Sequence, residues 1–160
     1  MADSIPGVSQ GRPRFRRATS ADLESVLPLI EAYYAFDEIP YEERAIRRGL
    51  QELLVDSPFG GLWFIEHELG VAGYFVLTLG FDLEFGGRVG TLTELFLVPS
   101  ARRRGFGTAA FEFACATLRS WGARALELQA ERDNTEALSF YAKFGMSAYD
   151  RVAMSKRLSE

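Results

Sequence analysis

Three consecutive arginines, Arg102, Arg103 and Arg104, stand directly before Gly105, Phe106, Gly107 and Thr108 in the run TELFLVPSARRRGFGTAAF. An apolar, strand-like stretch precedes them and a helical stretch of small residues follows. The first turn of a helix leaves amides unpaired and carries the positive end of the helix dipole, so it attracts anions. Glycine lets the backbone approach a ligand and adopt positive φ, and arginine adds charge that can pair with phosphate. The segment therefore reads either as a phosphate cradle or as a turn with solvated arginines. It is not a Walker loop, because no Gly-Lys-Ser/Thr follows. Nor is it the dinucleotide fingerprint, because Ala110 stands in place of its third glycine.

A second run, NTEALSFYAKFGM, has the same strand–turn–helix position later in the chain. Asn134 suits a helix N-cap, Ala137 and Tyr141 share a helix face, and Gly145 suits the residue just past the helix end. On this helix alone Tyr141 reads as a core aromatic with its hydroxyl at the surface. The single histidine, His67, reads as a turn residue, and the single cysteine, Cys115, as a small hydrophobe in an apolar helix. One cysteine excludes an internal disulfide and a cysteine metal cluster. No metal site is expected.

The elements that must position these residues follow from periodicity. Residues 1–12 read as a loose leader and residues 13–160 as one domain, in line with a length of 160 residues. RFRRAT alternates like a short strand, and Thr19 with Asp22 forms a capping box for a helix on which Leu23, Val26, Leu27 and Ile30 repeat. Pro28 is expected to kink or break that helix. A second helix is expected over residues 42–55. LWFIEHE and VAGYFVLTLGF read as a hairpin, TLTELFLV as a third strong strand, then a helix, ALELQA, a helix from Asn134, and a last strand over AYDRVAMSKRL. The order β-α-α-β-β-β-α-β-α-β is an α/β mixed sheet with helices packed on it.

A formal net charge of −4 argues against a general nucleic-acid binder. The N-terminus lacks the apolar core of a signal peptide and no apolar run approaches a membrane span, so a cytoplasmic protein with no membrane partner is expected.

The two runs together resemble the GCN5-related N-acetyltransferase (GNAT) superfamily. Its Gln/Arg-x-x-Gly-x-Gly/Ala signature is matched by Arg102, Gly105 and Gly107. Its second motif is matched by Asn134, Ala137, Phe140, Tyr141, Gly145 and Met146. Element order agrees along nearly the whole chain. The resemblance implies a splayed central sheet, acetyl-coenzyme A as acyl donor, and acyl transfer from sulfur to an amine. Its pyrophosphate would lie over amides of the Arg103 to Thr108 turn, with Arg102 or Arg103 also near it, and its pantetheine arm would pair with Leu95, Phe96 and Leu97 like an added strand. An alkyl amine with a pKa near 10.4 must lose a proton before attack, and a carboxylate can receive it. Relatives often place an acid on this strand, where the chain has Glu94; some place it one position earlier, at Thr93. Taken on its own, Glu94 reads equally as a charge on the solvent side of a strand. Tyr141 holds the family position that protonates the leaving thiolate.

The acceptor wall implied by the resemblance contains Tyr33, Tyr34, Phe36, Asp37 and Glu38, with Asp82 and Glu84 in the loop before the fourth strand. Acids interleaved with aromatics suit a small cationic amine such as a polyamine or diamine. Each of these acids also reads as part of a solvated face. A protein N-terminus or lysine is the alternative acceptor, and a non-catalytic acyl-CoA-binding regulator the alternative role. The resemblance also implies a homodimer through C-terminal strands, which the sequence itself does not show.

Overall fold

The computed structural model describes residues 11–158, so the leader expected at residues 1–12 lies outside the described residues except for Gly11 and Arg12. The chain divides into two compact units, Met1–Leu128 and Gln129–Glu160.

The first unit is a five-stranded sheet in the order β1-β2-β3-β4-β5. The strands are β1 (Arg14–Arg17), β2 (Gly60–His67), β3 (Gly70–Asp82), β4 (Gly87–Leu97) and β5 (Ala125–Leu128). The first four are antiparallel neighbours and β5 runs parallel to β4. A parallel neighbour needs a crossover, supplied by α3 (Phe106–Ser120). Helices α1 (Leu23–Phe36) and α2 (Glu43–Leu53) lie between β1 and β2 in sequence.

Period-two alternation divides the sheet's side chains between two faces. Leu62, Phe64, Tyr74, Val76 and Phe96 form one cluster with Val26, Leu27 and Ile30 of α1 and Leu50 of α2. On the other face Trp63 stacks on Phe75, and both meet Phe113 of α3. The sheet is thus covered on both sides. Close approach there demands glycine: a Cβ on Gly90 would stand 2.3 Å from Leu118 of α3.

The Thr19–Asp22 capping box is present, and Arg16 donates to both Asp22 oxygens at 3.0 Å. That guanidinium holds the Asp22 carboxyl down at about 2. The break expected at Pro28 does not occur, and α1 runs through it. Proline costs one helical hydrogen bond there. The buried face of Val26, Leu27 and Ile30 on either side of it holds the helix against the sheet.

Gly73 on β3 faces Leu97 on β4, and a Cβ added to it would lie 1.9 Å from the carbonyl oxygen of Phe96. Backbone cannot yield as a side chain can. Gly73→Ala is expected to lower stability by about 1–3 kcal/mol, read as a lower midpoint in chemical denaturation.

In the second unit α4 (Thr135–Ala142) starts at Asn134, whose side chain accepts from the Ala137 amide at 3.0 Å. Gly145 follows the helix at φ 80°, the left-handed conformation that closes helices and suits glycine. The last expected strand, over AYDRVAMSKRL, is not formed; this corrects the sequence reading. Alternating apolar side chains are present, but a strand also needs a hydrogen-bonded neighbour. Among the described residues none pairs with this segment, and Val152, Met154 and Leu158 are 83%, 92% and 92% exposed.

Candidate active site

The site is built on the C-terminal half of β4. Register along the β3–β4 pair shifts once: Val76 faces Glu94 while Leu77 faces Leu92, so Thr93 is an extra residue on β4. Such a bulge reverses which face the following side chains take. Gly90, before it, lies against α3, whereas Phe96, after it, belongs to the cluster under α1. Glu94, two residues before Phe96, is carried to that same side. Thr93 itself is exposed, its hydroxyl 3.4 Å from the Val76 carbonyl.

Glu94 is half-buried among aromatics rather than solvated. Tyr74 of β3 donates to its Oε2 at 2.5 Å and Tyr34 of α1 donates to its Oε1 at 3.3 Å. Burial raises the Glu94 carboxyl above the usual range, and the two phenols act in the opposite direction. Burial followed by the Glu94 charge raises both phenols, Tyr34 to about 12 and Tyr74 further. Both tyrosines therefore remain protonated donors at neutral pH. Tyr33 packs edge-on against Tyr34 and Tyr74 and tilts over Phe96. The result is a carboxylate set in an aromatic wall, able to accept a proton and to attract a cation.

The parallel partner β5 pairs only with residues 89–92 of β4. Glu94, Leu95, Phe96 and Leu97 lie beyond it, on a stretch of edge that no strand of this unit covers. An uncovered edge presents main-chain groups to an extended ligand.

Past this edge, residues 99–105 turn into α3. Arg103 and Gly105 both have positive φ, 58° and 79°, and Gly105 is the N-cap of α3. Among the described residues no backbone acceptor takes an amide between Arg103 and Thr108, and Ala109 is the first to reach back, to Gly105. Left-handed turns and a free helix start of this kind make an anion-binding concavity. The three arginines divide. Arg102 is tied down, donating to the Leu97 carbonyl at 3.0 Å and lying over Phe36 at 4.3 Å. Arg104 covers the ring of Phe106, and Arg103 is exposed. A groove of about 510 Å³ opens beside the turn, lined by Arg12, Phe15, Arg104, Gly105 and Phe106 among others.

Glu94, Tyr33, Tyr34 and Phe96 are thus brought together, with Phe36 joined to them through Arg102. Asp37 sits by the Tyr33 hydroxyl, and Glu38 is exposed just beyond α1 with φ 54°. Asp82 and Glu84 are not brought there. Asp82 lies at the far end of the hairpin, six residues along β3 from Val76, the partner of Glu94, a distance of about 20 Å at ordinary strand rise. In the second unit Asn134 and Ala137 are engaged in the start of α4. Burial pushes the Tyr141 phenol up to about 12.

Sequence reasoning missed Tyr74. Its signal was a lone phenol within the apolar run VAGYFVLTL, where a buried hydroxyl must find a partner. His67 was read as a turn residue and does accept from the Leu69 amide at 3.3 Å, but its ring also packs on Phe106 at the start of α3. Cys115 is half-buried, and burial raises its thiol, as suits a packing residue.

A bulged central strand carrying a half-buried acid, an open edge beyond the bulge, and a turn of free amides entering a helix invite comparison with known proteins. The family model described as the Acetyltransferase (GNAT) family matches residues 23–146. The chain belongs to that family. It is 28% identical over 139 residues to an uncharacterized N-acetyltransferase of Methanocaldococcus jannaschii, covering 86% of this chain. It spans only 62% of that relative's length. An integron cassette protein from the mobile metagenome of Cole Harbour Salt Marsh is 27% identical, with a TM-score of 0.78 and 91% of each chain covered. An aminoglycoside acetyltransferase from an uncultured soil metagenomic sample has a TM-score of 0.71 at 16% identity, over 92% of this chain and 97% of its own; at that identity the likeness is one of fold. Among the described residues no helix is long and apolar enough to cross a membrane.

Proposed function

We propose that this protein transfers an acetyl group directly from acetyl-CoA to a primary amine, and that the acceptor is a small cationic amine such as a polyamine or diamine. One observation carries the reading. The half-buried Glu94 carboxylate, ringed by tyrosines, shares a strand with an uncovered edge and leads into an anion-binding turn.

On this reading acetyl-CoA is the donor substrate. Its pyrophosphate is held by the amides of residues 103–108, with Arg103 and Arg104 supplying charge. Its pantetheine arm lies along the main chain of Leu95, Phe96 and Leu97, where an N–H also polarises the thioester carbonyl. Glu94 takes the proton that the ammonium must lose. The amine nitrogen then attacks the carbonyl carbon, the carbon–sulfur bond breaks, and the departing sulfur takes a proton from a phenol, the role that the family resemblance assigns to Tyr141. Support for a cationic acceptor comes from Tyr33, Tyr34, Tyr74 and Phe96 around a carboxylate, which attract positive charge by ring faces and by Coulomb interaction. Asp37 extends that potential along the end of α1.

Steady-state kinetics across diamines, polyamines, monoamines, amino acids and short peptides test the acceptor. Highest kcat/KM with a diamine or polyamine is expected; a peptide N-terminus or lysine turned over best would move the assignment to protein acetylation. The anion turn is tested separately. Gly105→Val forces a branched side chain into a left-handed conformation, although no atom within 4 Å opposes it. It is expected to weaken acetyl-CoA about tenfold or more, by calorimetry, because the strain of about 1–2 kcal/mol is relieved only by moving the amides.

A further inference from the structure

We infer that Tyr74 and Tyr34 are positioning residues for Glu94, fixing its carboxylate in place and holding it ionised as a proton acceptor. The inference rests on the reading of Glu94 as the base.

Burial alone favours the neutral acid, and a neutral acid cannot take a proton from an ammonium. Buried carboxylates elsewhere commonly lean on an arginine or lysine. Here, among the described residues, no cation pairs with Glu94; its two polar partners are phenols. Hydrogen bonds to the charged form offset desolvation without introducing a positive group that would repel a cationic substrate. The groups facing Glu94 can be named element by element. From β3 comes Tyr74, and from α1 come Tyr34 and Tyr33. Asp37 stands behind Tyr33, and Tyr41 packs edge-on against Tyr34. None of these is cationic.

The two phenols approach from different elements. Tyr74 is fully buried on the strand paired with β4, so its bond is set by the sheet register. Tyr34 belongs to α1, the helix whose end carries Phe36 against Arg102. One carboxylate oxygen is thereby fixed to the sheet and the other to the acceptor wall. Without the bulge at Thr93, Glu94 would face α3 and neither tyrosine would reach it.

The test is the pH dependence of kcat/KM for the amine in the wild type, Tyr74→Phe, Tyr34→Phe and Glu94→Gln, together with ¹³C NMR titration of the Glu94 carboxyl. Phenylalanine keeps the ring and removes only the hydroxyl. Tyr74→Phe is expected to move the acid limb and the carboxyl titration upward by about one to two pH units. Tyr34→Phe should move both by less, its bond being longer, with KM for acetyl-CoA unchanged in each. Limbs that superimpose on the wild type in both variants, while Glu94→Gln loses its limb, would overturn the positioning role and leave the base in place. An acid limb retained in Glu94→Gln would overturn the base itself and this inference with it. Where Tyr74→Phe does not fold, the half-buried Tyr34 carries the same comparison, because a merely structural role lowers Tm without moving the limb.

Discussion

Glu94→Gln is expected to lower kcat/KM for the amine by about 10²–10⁴-fold at neutral pH, the range general-base catalysis supplies. The amide keeps the size of the side chain; its oxygen still accepts from one of the two tyrosines, and its NH2 group can donate to the hydroxyl oxygen of the other, so the fold should survive. What is lost is basicity. Burial raises the Glu94 carboxyl, so the wild-type rate should fall as pH drops through that raised value and the group becomes neutral. The variant has no such group and should show no acid limb assignable to it. Affinity for acetyl-CoA should hold, because the amides of residues 103–108 and the edge of β4 are untouched. Rate against pH and calorimetric acetyl-CoA binding, measured on the same preparation, separate the two effects.

Tyr141→Phe is expected to lower kcat by about 10²-fold, the low end for a lost proton donor, with little change in acetyl-CoA affinity. The departing sulfur carries developing negative charge, its thiol having a pKa of about 8.5. The phenol, pushed up to about 12 by burial, stays protonated through the neutral range. On the proposed reading it stabilises sulfur as charge develops, and it is expected to contribute no alkaline limb near neutrality. Pre-steady-state thiol release resolves the loss in the chemical step; an unchanged rate there would remove Tyr141 from the reaction.

The parts of the site set by local rules were legible in the sequence. Gly105 marked a turn able to take positive φ at a helix start, Asn134 marked a cap, and Thr19 with Asp22 marked a box, and each acts through neighbours within a few residues. The parts set by pairing between strands were not. The sequence left Glu94 open between a solvated charge and a base, because nothing in TELFLV signals that Thr93 bulges and reverses the alternation after it. Tyr74 was missed for a related reason: the lone phenol in VAGYFVLTL signalled that a partner was needed but not which one, since that partner is twenty residues away and meets it only through the β3–β4 register. Asp82 and Glu84 were grouped with Tyr33 because the family resemblance sets the loop before the fourth strand on the acceptor wall, yet the hairpin carries Asp82 to its far end, about 20 Å along β3 from the partner of Glu94. Pro28 failed to break α1 because packing against the sheet outweighed one absent hydrogen bond. The last strand failed in the opposite way, alternation being present without a partner to pair with.

The claim most open to direct attack is acetyl transfer from acetyl-CoA to an amine. Release of free coenzyme A, followed with a thiol reagent while acetylated product is identified by mass spectrometry, addresses it in one experiment. Thiol and acetylated amine should appear in equal amounts with a cationic amine, and both should nearly vanish in Glu94→Gln. Tight acetyl-CoA binding with no thiol release from any amine, amino acid or peptide would contradict the account and identify a protein that binds the acyl donor without using it.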